Sequence, residues 1–145
     1  MTDHGDALDR AAVTRLTMSP AVLVAIALGG ALGTVARFFL SSAFSDPARQ
    51  FPTTTLFINL SGSLAIGLLV PLVDNFSPRA ALLRPFLIAG VLGGWTTYSA
   101  LAVDAVLLGQ DGHTAAGLLS LAATLIGGLL LVVCGNAIGR RVVSR

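Results

Sequence analysis

Thr55, Asn59 and Ser63 recur every four residues in the stretch TTTLFINLSGSLAIG, and Ser120 and Thr124 repeat that spacing in LLSLAATLIGGLLLVVCGNAIG. At 3.6 residues per turn each set lies along one helix face. Hydroxyls and an amide in a row supply hydrogen bonds without net charge. Such a track suits a small anion that must exchange water for other donors. Two more features belong with it. GGWTTYSA, residues 93–100, places two glycines ahead of Thr96, Thr97, Tyr98 and Ser99, and Arg37 shares a helix face with Gly29 and Gly33 in LGGALGTVARFFL. Asp74 and Asp104 fall toward the ends of apolar stretches, so the buried carboxylate that a proton-coupled cation exporter needs is missing from mid-span. No nucleophile–base pair, nucleotide-binding loop or metal-ligand cluster is present, and enzymatic activity is not expected. The lone Cys134 sits in an apolar run with no disulfide or metal pattern and reads as a small packing residue.

The elements that must carry these residues follow from composition. The 145 residues are 54% hydrophobic and 11% charged, with a mean hydropathy of +0.85. A soluble domain of this length is about a quarter charged, so this chain cannot coat a globule with polar surface and is expected in a lipid bilayer. Four stretches reach the roughly 20 apolar residues of a membrane span, near 20–44, 53–73, 82–108 and 114–138. The connections SDPARQFP, DNFSPRA and GQDGH are short and rich in turn formers, as loops between antiparallel neighbours are. The expected architecture is all-α, one four-helix transmembrane domain over 20–145 preceded by a polar segment, 1–19. That segment mixes acidic with basic residues, and a cleaved signal peptide is not expected. A net charge of +2 is too small to point to nucleic acid.

All nine basic residues are Arg. With four spans, Arg10, Arg15, Arg79, Arg84, Arg140, Arg141 and Arg145 fall on one side and Arg49 on the other. The positive-inside rule then puts both termini in the cytoplasm.

Each polar intramembrane residue has two readings. Arg37 either snorkels to the interface or faces a watery vestibule that attracts anions. Asn59 and its flanking hydroxyls either bond neighbouring helices or face a pore. The Ser120–Thr124 stripe can bond its own helix carbonyls or extend the donor track. The Gly93–Gly94 pair with its hydroxyl cluster suggests a break in span three near Gly93–Ser99, tolerated in lipid only where it is buried in protein or lines a cavity. Such a break frees carbonyls for a cation and amides for an anion.

Three blocks, GGALGTVARF, TTTLFINLSGSLAIG and GVLGGWTTYSALAVD, occur in that order, and together they resemble the bacterial fluoride channels, the Fluc/CrcB family. The resemblance covers nearly the whole chain after about residue 20. It implies passive export of fluoride across the bacterial inner membrane by an antiparallel, dual-topology dimer with two pores. It also implies a structural Na+ at the dimer interface, held by the carbonyls of Gly93 and Thr96. By motif position Asn59 corresponds to the pore Asn, Thr55 to the hydroxyl one turn before it, and Arg37 to the vestibule Arg. Ser120 and Thr124 correspond to span-four hydroxyls. The family carries two Phe rings three residues apart whose positive edges face fluoride. Here those positions are Tyr98 and Leu101, with Ala100 in place of a usual Thr. The missing ring and the lopsided Arg count together suggest one half of a heterodimer whose partner, inserted the other way, supplies the rings. Leu101→Phe is then expected to raise flux or leave it unchanged. The alternatives are a subunit with few working pore residues of its own, and a small four-span secondary transporter. The latter relies on a membrane-embedded Glu in span one, and the chain has none.

Overall fold

The computed structural model describes residues 19–44, 51–75 and 81–144. Residues 1–18, nearly all of the polar leading segment, lie outside them. So do Arg10, Arg15, Arg49, Arg79 and Arg145, on which much of the charge bias rests.

Among the described residues every regular element is a helix: α1 (Pro20–Ala43), α2 (Thr53–Asp74), α3 (Pro85–Leu92), α4 (Gly93–Trp95), α5 (Tyr98–Gln110) and α6 (Thr114–Val143). Four helical stretches are long and apolar enough to cross a membrane, with α3 to α5 counted as one, Pro85–Gln110. Two of the starts carry a side-chain cap. Ser19 Oγ accepts from Val22 N–H at 3.3 Å, with Pro20 occupying the first helical position, where its missing N–H costs nothing. α5 is capped by Thr97, whose Oγ1 accepts from Ala100 N–H at 3.1 Å. α6 runs five residues beyond the expected end at 138. Its last turn carries Arg140 and Arg141, whose charge favours the carbonyl end of a helix. Near the loop side, Arg84 pairs with Asp74 at 3.2 Å, half-exposed at both partners, a contact worth at most about 1 kcal/mol.

The helices associate chiefly as two pairs, α1 with α3 and α4, and α2 with α6, with α5 also laid on α6. Both seams are built on small residues. A Cβ on Gly33 would lie 2.0 Å from the Val91 carbonyl oxygen, and one on Gly67 would lie 2.3 Å from that of Val132. Backbone meets backbone there, as small residues permit in lipid. Over α3 the chain is wound as a π-helix, a form rare in runs of this length and common near functional sites.

Gly93 keeps helical dihedrals, φ −64° and ψ −36°. Extended backbone instead falls on Thr96 (φ −73°, ψ 154°) and Thr97 (φ −146°, ψ 119°), between α4 and α5. The glycine pair was expected to open the backbone. Gly94 has a different task, since a Cβ there would strike the Gly30 carbonyl oxygen of α1 at 2.4 Å.

Between 17% and 28% of each apolar window is buried within the chain. The remaining apolar surface, including Phe38, Phe39 and Leu129, must meet lipid or another chain.

Candidate functional site

The site is built from the N-terminal half of α2, the α4–α5 junction and the middle of α6. At its centre Asn59 clamps Thr97. Asn59 Nδ2 donates to the Thr97 carbonyl at 2.9 Å, and Thr97 N–H donates to Asn59 Oδ1 at 2.8 Å. The side-chain amide thus stands in for the helical partners that the extended backbone has lost, which a buried peptide group must find somewhere. Gly62, one turn along α2, leaves room for this approach, because a Cβ on it would fall 2.3 Å from Thr96 Cγ2.

Neighbouring carbonyls are affected in turn. In an unbroken helix Thr97 N–H would bond the Gly93 carbonyl and Ala100 N–H the Thr96 carbonyl. Here the first goes to Asn59 Oδ1 and the second to Thr97 Oγ1. The Gly94 carbonyl is taken by α1, accepting from Arg37 Nε at 3.0 Å and Thr34 Oγ1 at 3.5 Å. Arg37 is therefore half-buried and bonded through Nε to the α4 backbone.

Beside the clamp lies an open groove of about 420 Å³ whose lining includes Asn59, Ser63, Thr97, Tyr98, Leu101 and Thr124. None of the residues lining it is charged. Tyr98 is 73% exposed, whereas Leu101, one turn further, is 2% exposed. Thr124 is 8% exposed, and its buried Oγ1 has no hydrogen-bond partner. A buried hydroxyl without a partner costs about 1–3 kcal/mol, so this one is a site where an acceptor would be gained.

Three of the six expected pathway residues, Asn59, Tyr98 and Thr124, meet at this groove. The other three are placed elsewhere. Ser120 is fully buried and donates back to the Gly117 carbonyl at 2.8 Å, the in-helix bond open to any helical Ser. Thr55 Oγ1 donates to Asp104 Oδ2 at 2.7 Å. Arg37 holds α4. Asp104 as a partner for Thr55 was not foreseen, since nothing local links residues 49 apart. Ser61 was likewise not singled out. It accepts from Trp95 Nε1 at 3.0 Å and donates to the Ile58 carbonyl at 3.0 Å.

The burial of Leu101 has a consequence for stability. A Phe at this covered position must displace its neighbours, and overpacking of this kind costs about 1–3 kcal/mol. Leu101→Phe is expected to lower the melting temperature in detergent, measured by light scattering or fluorescence. An unchanged melting temperature would show that the groove has room for the ring.

The family model "CrcB-like protein, Camphor Resistance (CrcB)" matches residues 24–136. The chain belongs to the CrcB-like family. The matched segment contains every residue of the groove and the clamp. A Streptomyces coelicolor relative named "Fluoride-specific ion channel FluC 1" is 41% identical over 128 residues, 88% of this CrcB-like chain and 82% of the relative. "Fluoride-specific ion channel FluC" of Rhizobium meliloti is 38% identical over 122 residues, 83% of the chain and 98% of the relative. "Fluoride-specific ion channel FluC 3" of Streptomyces avermitilis is 38% identical over 131 residues, 90% of the chain; the match spans 64% of that relative's length.

Proposed function

We propose that this CrcB-like protein is a fluoride-selective channel of the bacterial inner membrane that lets cytoplasmic fluoride leave passively. The observation that carries the reading is the uncharged groove in which Asn59, the exposed ring of Tyr98 and the unpartnered Thr124 hydroxyl converge, in a chain whose relatives bear the name of fluoride-specific channels. Fluoride is small and strongly hydrated, so it enters a pore only where donors replace its water. Thr124 Oγ1 offers such a donor, and Tyr98 offers a positive ring edge. With no fixed anion lining the groove, the ion meets no like charge there; the nearby carboxylate of Asp104 lies outside that lining, on Thr55. A membrane potential that is negative inside drives an anion outward by about 2.3 kcal/mol per 100 mV, so no proton coupling or chemical step is required.

Arg37, Thr55 and Ser120 serve this pathway at one remove. Arg37 secures the Gly94 carbonyl and adds positive charge on the approach. Thr55, held by Asp104, marks the α2 end of the donor track. Ser120 packs α6 one turn before Thr124.

The working assembly is a dimer of oppositely inserted subunits, with the extended residues Thr96 and Thr97 forming a functional break in the third span. Na+ at the interface fits the same residues. Support comes from the Gly93 and Thr96 carbonyls, whose helical donors are bonded elsewhere, and from Gly93, which has nothing within 4 Å of a Cβ position. Such an ion would gather carbonyl oxygens of both subunits and so join them at the break. Gly94 contributes no ligand because Arg37 already occupies its carbonyl.

Whether the second subunit is identical is decided by topology. Seven Arg against one favour a single orientation with both termini cytoplasmic, which argues for a heterodimer in which the partner supplies the ring that Leu101 lacks. A reporter fused to the C-terminus is expected to score on the cytoplasmic face alone, and equal signal on both faces would favour a homodimer. The channel function itself is tested by expression in a bacterium lacking its own fluoride exporter, together with a candidate partner subunit and alone. Restored growth on fluoride in either arm is the expected result, and sensitivity in both would refute the reading.

A further inference from the structure

α4 is one turn of three residues between a π-helix and two extended residues, too short to hold its own shape. Its position is set from outside. On the α1 side Gly94 is held by Arg37 and Thr34. On the α2 side the chain's single tryptophan, Trp95, reaches Ser61, and Thr97, two residues beyond, meets Asn59. Trp95 Nε1 donates to Ser61 Oγ at 3.0 Å, and Ser61 Oγ donates to the Ile58 carbonyl at 3.0 Å, so the indole is tied through one hydroxyl to the backbone of α2. Asn59 and Ser61 stand two residues apart on α2, and Trp95 and Thr97 two residues apart at the break. The two ties therefore grip the same short segment at both ends, with Thr96 between them over Gly62, where Trp95 Cδ1 lies 3.1 Å from a Cβ position.

We infer that the Trp95–Ser61 hydrogen bond is a positioning device that keeps the Thr96–Thr97 segment in register with Asn59, so that loss of the bond loosens the Asn59–Thr97 clamp without removing any residue of the groove. A ring at position 95 could fill the space beside Gly62 by packing alone. An indole adds a directed donor, and Ser61 is placed to receive it. If the bond is what matters, removing either partner has the same consequence and removing both adds nothing.

The test is a double-mutant cycle with Trp95→Phe, Ser61→Ala and both together. Trp95→Phe keeps a ring against Gly62, and Ser61→Ala keeps the indole. Hydrogen exchange of the purified protein in detergent reads the Thr97 and Ala100 amides, which donate to Asn59 Oδ1 and Thr97 Oγ1. Exchange is expected to rise about fivefold in each single variant, the effect of one net hydrogen bond, and by the same factor in the double variant. Protection over α6 should stay at the wild-type level, which separates loss of register from general unfolding. In vesicles the same variants are expected to conduct fluoride more slowly, again without additivity. Unchanged exchange at the break, additive effects, or a loss of protection spread over α6 would each overturn the assignment. The exchange measurement does not depend on transport. If the wild-type protein failed to pass fluoride both alone and with its partner subunit, the channel reading would fall while exchange still decided the role of Trp95.

Discussion

Asn59→Asp is expected to lower fluoride flux by about a hundredfold or more, with the folded protein still recovered. The geometry separates two consequences. Thr97 N–H keeps its acceptor, because Oδ1 persists and a carboxylate accepts more strongly than an amide. The Thr97 carbonyl, however, loses Nδ2 as its donor and meets a second oxygen. A buried group deprived of its partner loses about 1–3 kcal/mol, and more where charge is involved. The carboxylate also places a negative charge in a groove that otherwise has none. At 4 Å two like charges repel by about 4 kcal/mol at an effective dielectric of 20, and each 1.4 kcal/mol corresponds to a factor of ten. An electrode measurement of fluoride release from vesicles checks it. Flux at the wild-type rate in the variant would remove Asn59 and its clamp from the pathway.

The second large effect is on assembly. Gly33→Ala places a methyl carbon 2.0 Å from the Val91 carbonyl oxygen and 2.9 Å from both Val91 C and Trp95 N. Every obstacle is backbone, so no rotamer change relieves the contact and α1 must move away from α3 and α4. That separation would also pull Arg37 and Thr34 from the Gly94 carbonyl. Destabilisation of about 4 kcal/mol or more belongs to this class of mechanism. Little monodisperse protein is expected on size-exclusion chromatography in mild detergent, with a melting temperature well below that of the wild type. Gly109→Ala is the control. Nothing lies within 4 Å of a Cβ there, and an alanine in a helix is favoured by about 1 kcal/mol over glycine, so that variant should behave as the wild type or slightly better. Equal behaviour of the two variants would mean that the α1 seam is looser than its backbone contacts imply.

The sequence showed the spans because apolar length is a local property, and α1, α2 and α6 begin where turn formers end. It also marked Asn59, Tyr98 and Thr124, since hydroxyls and amides in hydrocarbon are conspicuous whatever they touch. Partners were less visible. Asn59 reads as pore lining or as interhelical glue, and its two bonds to Thr97 span 38 residues of chain. Gly93–Gly94 suggested an open backbone, but a glycine is as useful for what it lets approach as for the dihedrals it permits. Gly94 serves the approach of α1, and the extended residues are Thr96 and Thr97, of which Thr97 has both its N–H and its carbonyl bonded by Asn59. Ser120 shares the spacing of Thr124, while its hydroxyl turns back to its own helix, a bond that spacing alone does not distinguish from a place on the donor track. The Thr55–Asp104 and Trp95–Ser61 bonds join residues on different spans, and no periodicity within one helix can reveal such a pair.

The channel reading is tested most directly by the purified protein in sealed vesicles loaded with fluoride, with an outward potassium flow set by an ionophore to balance charge. The chain with the subunits it requires is expected to release fluoride rapidly once the ionophore is added, while chloride stays trapped under the same drive. Vesicles that retain fluoride, or that release chloride equally fast, would contradict it.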